Sequence, residues 1–102
     1  MANIKFDGVI EAVRYTPEGK IEVVRAYERR GATFSDRILI LRSTLIERLK
    51  KGERFYTGQR KEYLASTFET AKRVQVVGKK DIEFIATNPQ ADRDLLEEVP
   101  LF

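Results

Sequence analysis

The chain has 102 residues, of which 42% are apolar and 34% charged, and it contains neither cysteine nor histidine. This size and composition are typical of one globular domain, and the missing residue types exclude disulfides, zinc–thiolate sites and catalysis by a thiol or an imidazole. No apolar run approaches the roughly 20 residues that cross a bilayer, so the sequence predicts a cytoplasmic protein with no membrane partner.

The formal net charge of +3 is unevenly distributed along the chain. Residues 1–90 carry 18 basic and 12 acidic side chains, whereas residues 91–102 carry one basic and four acidic ones. A basic body and an acidic tail attract each other. An anionic partner of the body would therefore compete with the tail.

The first 42 residues have the patterns of three β-strands. Apolar side chains alternate over residues 4–12 and the phase slips at Val13, which predicts a bulge in a long first strand. Turn residues at positions 16–19 lead to a second strand over residues 20–30, which completes a long, coiled hairpin. A continuous apolar run then predicts a third, central strand over residues 34–42.

One short helix is predicted after the third strand. Thr44 and Glu47 have the spacing of a capping box, in which each side chain accepts a hydrogen bond from an orphan backbone N–H. Lys50 and Lys51 suit the negative end of the helix dipole, and Gly52 suits a left-handed terminator. We therefore expect a helix of about two turns that starts at Thr44 or one residue earlier.

Strand chemistry returns after the helix, with a hairpin connection at residues 78–81. The predicted strands cover residues 55–57, 63–68, 74–77 and 82–87. The order of elements resembles the oligonucleotide/oligosaccharide-binding (OB) barrel. The predicted fold class is therefore mainly β: a small closed or partly open OB-like barrel in residues 1–88, with one short helix between the third and fourth strands. An excess of strands after the helix leaves an SH3-like barrel as the alternative.

The strongest compositional signal is a basic stretch over residues 42–61, where seven cations face two acids. Its candidate binding residues are Arg48, Lys50, Lys51, Arg54, Tyr56, Arg60 and Lys61. A second group, Arg25, Tyr27 and Arg29, shares one strand face. Because cations neutralise phosphates and aromatic rings stack on bases, the pattern predicts a non-enzymatic module that binds single-stranded nucleic acid.

Both groups also have a structural interpretation. Strands normally carry aromatic residues, so Phe55 fits a core position and Tyr56 a half-exposed one, while the cations form a solvated face. Arg25 and Arg29 would then pair across the strands with Glu11 or with other carboxylates of the first strand.

The C-terminal segment, residues 89–102, combines acids with an apolar, proline-containing end. Over a few residues it loosely resembles the tail of bacterial single-stranded-DNA-binding proteins, although Leu101 here separates Pro100 from Phe102. The alternative function is a protein-interaction or assembly adaptor that docks through a sheet edge or through this segment. The candidate docking residues are Leu95, Leu96, Val99, Leu101 and Phe102. A short helix beginning at Asn88, or packing of the segment onto the barrel, are competing structural interpretations.

No motif has the spacing of a catalytic or ligand site. Residues 78–81 lack the glycine and hydroxyl residues of a phosphate loop, and the acids near the C-terminus lack calcium-loop spacing. Serines have no histidine to activate them. The sequence predicts no enzyme activity, no cofactor and no metal.

Overall fold

The architecture is a mainly β domain with one short helix, as predicted. The computed structural model describes residues 6–31, 33–60, 68–79, 82–91, 93–97 and 99–102. In chain order its elements are β1 (Gly8–Tyr15), β2 (Ile21–Arg30), β3 (Thr33–Phe34), β4 (Ile38–Leu41), α1 (Arg42–Lys50), β5 (Phe55–Arg60), β6 (Phe68–Lys79) and β7 (Ile82–Ala86). In the described part of the chain, no helix has the length and apolarity needed to span a membrane.

The strands form one sheet of order β3-β2-β1-β5-β6-β7, in which β4 also pairs with β2. Neighbouring strands are antiparallel except β1 and β5, which run parallel over three residues beginning at Gly8. Among the described residues, no backbone pairing joins the two ends of this order. The closed barrel and its OB-like or SH3-like type therefore stay predictions.

The β1–β2 hairpin contains two bulges, which confirms that the phase slip in the sequence marks an irregular strand. Glu11 has no partner between the pairs Ile10–Ala26 and Ala12–Arg25. Glu22 is the extra residue near the other end of the hairpin. Each bulge increases the local twist, so the hairpin coils and both of its faces become covered.

The predicted third strand is interrupted, which corrects the position of the helix. The Ser35 N–H donates to the Glu28 carbonyl at 2.8 Å, and the Ser35 hydroxyl accepts a hydrogen bond from the Glu28 N–H at 3.1 Å. The same hydroxyl donates to the carbonyl of Asp36 at 2.7 Å. This side-chain bonding ends β3 and bends the chain before β4 begins. The helix consequently lies between the fourth and fifth strands, not between the third and fourth.

The predicted capping box is wrong. Helix α1 begins at Arg42, its N-cap is the extended residue Leu41, and no side chain caps it. Thr44 therefore lies inside the first turn, since the helix starts where Arg42 is anchored to the sheet. The predicted terminator is confirmed: Gly52 has a φ of +93° and donates its N–H to the carbonyl of Leu49 at 3.1 Å.

Two predictions for the second half also change. β6 continues through residues 70–72, which lie between two of the predicted strands, because the Thr57 hydroxyl of β5 accepts a hydrogen bond from the Lys72 N–H and holds β5 and β6 together. β5 continues through Gly58, where a Cβ atom would collide with the backbone oxygen of Glu69. The strand predicted over residues 63–68 lies outside the described residues except for Phe68.

The sheet packs on both faces. The first face carries the main core, in which Ile10, Val24, Phe55 and Val74 pack with Leu45 of α1. The second face carries an aromatic cluster, whose members are Phe6, Tyr27, Phe34, Tyr56 and Phe68. The helix therefore covers one face and aromatic rings occupy the other.

Truncation of the buried helix residue tests this packing. Leu45→Ala leaves a cavity between α1 and the sheet, so we expect the free energy of unfolding in urea to fall by about 2–5 kcal/mol. Leu39→Ala is the matched control, because Leu39 is exposed and its truncation should change stability by no more than about 0.5 kcal/mol. Equal losses in the two variants would contradict the placement of α1.

Candidate interaction surface

Strand β4 presents an apolar edge. Leu39 and Leu41 are 64% and 60% exposed, whereas Ile40 between them is buried in the core. In register, Leu39 lies beside Arg25 and Leu41 beside Val23 of β2, so both leucines are on the second face of the sheet. The opposite edge of β4 pairs with no strand among those described. We call the two leucines, together with this unpaired backbone, the β4 edge.

The β4 edge corrects the prediction of a central strand. A continuous apolar run is typical of a strand buried on both faces. Here the run is only four residues long, α1 follows it at once, and among the described strands it pairs with β2 alone. The result is an edge strand whose outer side chains remain apolar.

Guanidinium groups lie behind the β4 edge. Arg25 lies 3.6 Å from Glu11, and Arg37 donates a hydrogen bond to the same carboxylate. The predicted cross-strand pairing is therefore confirmed for Arg25, whereas Arg29 forms no ion pair among the described residues. Arg14, in register with Val23, donates a hydrogen bond to the Phe102 backbone oxygen at 3.1 Å and lies with Arg25 over the ring of Phe102, at 4.8 and 5.0 Å from its centroid.

The aromatic cluster removes one predicted stacking residue from solvent. Tyr27 is only 2% exposed, and its ring centroid lies 5.1 Å from that of Phe68. Arg29 is exposed, but its guanidinium lies over Phe34 at 5.0 Å, and its Nε donates to the carbonyl of Phe6 at 2.9 Å. The predicted binding group of Arg25, Tyr27 and Arg29 therefore has no exposed tyrosine ring on which a base could stack.

Two of the candidate binding residues in the basic stretch, Arg48 and Lys50, are engaged in ion pairs. The Arg48 guanidinium binds Glu28 at 3.0 Å and Glu53 at 2.8 Å, and it lies over the Phe55 ring at 5.0 Å. Lys50 lies 2.6 Å from Glu83. These contacts fasten α1 to β2 and β7, so this part of the basic stretch serves the fold.

The remaining candidates are dispersed. Lys51 and Arg54 are exposed, and Tyr56 is half-buried in register with the exposed Arg73 of β6. Arg60 belongs to β5, its side chain lies outside the described part, and Lys61 lies outside the described residues altogether. The structure thus brings Tyr56 near Arg73, a cation that sequence reasoning did not select.

A buried carboxylate holds the C-terminal segment to the sheet. Asp94 Oδ2 accepts hydrogen bonds from Ile21 N at 2.8 Å and from Arg42 Nε at 2.7 Å, while Oδ1 accepts one from Ile85 N at 3.0 Å and one from Arg42 Nη2 at 3.2 Å. The Asp94 side chain is 0% exposed. We call this set of bonds the Asp94 clasp. It joins β2, α1 and β7, and nothing in the sequence patterns singled it out.

Hydrogen bonding keeps the clasp charged. Burial by itself raises the pKa of Asp94, but the Arg42 guanidinium and the two backbone N–H groups lower it by more, so the pKa lies below its ordinary value. The carboxylate is therefore ionised at neutral pH.

The rest of the C-terminal segment follows the sheet. Pro100 accepts a hydrogen bond from Val13 N at 2.9 Å, and Phe102 N donates to Val13 O at 3.2 Å, so the segment lies along β1 beyond its pairing with β5. Leu95 forms an isolated parallel bridge with Ala86. No helix forms in the described residues of this segment, contrary to one of the predicted alternatives.

The candidate docking residues of the segment differ in exposure. Leu96 is buried and Val99 packs against the core. Leu95 and Phe102 are half-buried, whereas Leu101 is 72% exposed. Most of this apolar surface is therefore used inside the domain.

The acidic side chains of the described residues and an open pocket among them bear on metal and small-molecule binding. No group of three or more acidic side chains among them is placed to hold a metal ion. An open pocket of about 360 Å³ borders the Asp94 clasp, but its Arg42 and Glu83 are already engaged in hydrogen bonds or ion pairs. Comparison of the chain with protein-family models, curated proteins and solved structures finds no match.

The Asp94 clasp predicts a specific dependence of stability on charge and pH. Asp94→Asn places an amide N–H₂ against the N–H donors of the clasp, and it leaves the buried part of Arg42 without a carboxylate partner. We therefore expect a loss of about 3 kcal/mol in the free energy of unfolding at pH 7. The exposed Glu22→Gln is the matched control and should lose less than about 0.5 kcal/mol.

The pH dependence follows from the lowered pKa of Asp94. Its stabilising contribution is complete above the ordinary aspartate pKa of about 3.9 and is lost as the pH falls through the lower folded-state value. The difference between the wild type and Asp94→Asn should therefore be constant near neutrality and shrink below about pH 4. Urea unfolding at several pH values measures it, and a difference that grows toward low pH would contradict the clasp.

Proposed function

We propose that the protein is a non-enzymatic interaction module that binds an extended segment of a partner protein along the β4 edge. One observation carries the proposal: Leu39 and Leu41 are largely exposed on a strand whose outer backbone edge has no described strand partner. Proteins usually protect such edges with charge, proline or a covering element. An edge with two leucines is instead suited to strand addition.

Strand addition would use the two features of this edge together. A partner strand would pair with the outer N–H and C=O groups of Ile38–Leu41. Its side chains would cover Leu39 and Leu41, and burial of a leucine is worth about 1.5–3 kcal/mol. Backbone pairing would supply affinity, and the spacing of the leucines would supply specificity.

The contacts of the C-terminal segment favour the sheet edge over this segment as the docking element. Asp94 and Leu96 are buried, and the end of the segment is bonded to β1. Docking through the buried residues of the segment would require these contacts to break first. The β4 edge requires no such opening.

We also propose that the sheet is a partly open small barrel, OB-like or alternatively SH3-like. Two contacts support curvature toward closure. Phe68 at the start of β6 packs its ring 4.7 Å from that of Phe34 in β3. The Asp94 clasp links the N–H of Ile21 in β2 with that of Ile85 in β7.

A double substitution at the edge tests the main proposal. We expect Leu39→Lys/Leu41→Lys to lose a partner that cross-links to the wild-type chain in cells of its source, because lysines oppose apolar burial. The partner is identified by mass spectrometry, and thermal unfolding checks that the variant remains folded.

Leu101→Lys is the matched control for this experiment, since Leu101 is the exposed leucine of the C-terminal segment. It should retain the partner. Loss of the partner on Leu101→Lys, with retention on Leu39→Lys/Leu41→Lys, would move the docking element to the C-terminal segment.

We propose nucleic-acid binding as a second candidate function. The observation that favours it is the half-buried Tyr56 in register with Arg73, with the exposed Arg54 two residues earlier in the chain. An aromatic ring beside cations suits the stacking of a base and the neutralisation of its phosphate. This surface is smaller than the one predicted from the sequence.

Salt-dependent titration tests the second candidate. A fluorescently labelled single-stranded oligonucleotide should bind at about 50 mM salt, and the slope of log affinity against log salt should change by about 0.7 for each phosphate contact removed by Arg54→Ala or Arg73→Ala. Lys50→Ala, at a cation already paired with Glu83, should leave the slope unchanged. No binding at low salt would reject nucleic acid as the partner.

A further inference from the structure

The charge beside the β4 edge indicates what kind of segment binds there. Arg37 precedes Leu39 by two residues and is 62% exposed, while Arg25 lies beside Leu39 in register. Both share the Glu11 carboxylate, which is mostly buried. This group of two cations and one carboxylate has a net positive charge, so it attracts acidic partners.

The chain itself shows that this face accepts an extended apolar segment. Phe102 is bonded along β1 at Val13, and its ring lies against the guanidinium groups of Arg14 and Arg25. Arg14 Nε also donates to the Phe102 backbone oxygen at 3.1 Å. Backbone pairing, ring stacking and a charged hydrogen bond therefore act together on the β1 side of the same face. The β4 side offers similar chemistry.

A second copy of this chain matches the β4 edge less well. Antiparallel pairing of two β4 strands would place leucine against leucine, but it would also bring two copies of the same cationic surface together. Like charges across an interface oppose association, whereas opposite charges steer it. An acidic segment that also carries apolar side chains would cover the leucines and pair with the cations.

We propose that the occupant of the β4 edge is an extended acidic segment of a partner protein. On one side it would carry two apolar side chains, which lie on Leu39 and Leu41, followed by a carboxylate that pairs with Arg37. The alternation follows from the two-residue period of a strand, since positions 37, 39 and 41 face the same side. This inference rests on the proposed interaction function and names the chemistry of its partner.

A synthetic peptide tests the inference directly. The probe is the fluorescent heptapeptide glutamate-threonine-leucine-threonine-leucine-threonine-glutamate, whose pattern reads the same in both strand directions. We expect it to bind the purified full chain in fluorescence anisotropy, and a peptide with lysine in place of both glutamates to bind at least about tenfold more weakly, which corresponds to about 1.4 kcal/mol. A backbone N-methylated version should not bind, because it lacks strand donors.

Variants of the protein locate the binding. Arg37→Gln should reduce the preference for the acidic over the basic peptide. Leu39→Gln/Leu41→Gln, which removes the apolar side chains without adding charge, should abolish binding of the acidic one. Arg73→Gln is the matched control, an exposed arginine on β6 away from this edge, and it should leave affinity unchanged.

Each contrary result has a distinct meaning. Equal binding of the acidic and basic peptides, or no binding of either, overturns the acidic segment. A partner that cross-links at the β4 edge in cells would still support the interaction function. Sedimentation that shows a dimer lost on Leu39→Lys/Leu41→Lys would also overturn the inference, because the occupant would then be a second copy.

Discussion

The Asp94 clasp is the interaction on which the arrangement of the domain depends. Four hydrogen bonds converge on one buried carboxylate, from the start of β2, from the first residue of α1 and from β7. Strands β2 and β7 lie far apart in the sheet order, and no described backbone pairing joins them. The Asp94 side chain joins them instead. The same residue fixes the C-terminal segment, which then lies along β1. Asp94 is therefore buried in the core, although the sequence of its segment is typical of an acidic tail.

The clasp and the ion pairs of α1 also explain why a basic sequence does not produce an equally basic surface. Arg42, Arg48 and Lys50 each meet a carboxylate that comes from a distant part of the chain. Such pairs hold the helix on the sheet, and they reduce the charge that a polyanion would meet. Arg14 and Arg29, whose guanidinium groups lie over aromatic rings, contribute further positive charge to the second face.

The two bulges and the interruption at Ser35 determine which apolar residues remain uncovered. The bulges coil β1 and β2 so that both faces of the hairpin become covered. The interruption divides the predicted third strand into β3 and the four-residue β4, and α1 then covers the face that carries Ile40. Leu39 and Leu41 consequently lie at an outer edge, beside Arg25 and Arg37. The proposed function is a consequence of this geometry, since an apolar run of the same composition inside the sheet would be core.

The sequence by itself determined the mainly β class, the irregular first hairpin, the single short helix and its glycine terminator at Gly52, because alternation and turn chemistry are local properties of neighbouring residues. It also located the apolar run of β4 and the cations around it. Only the tertiary structure decided that β4 is an edge strand, that Tyr27 is buried and that Asp94 is a core residue. Each of those outcomes depends on a contact between residues far apart in the chain; Asp94 and Ile21, for example, are separated by 73 positions. Local patterns carry no information about which distant group supplies a hydrogen bond, a charge or a covering side chain.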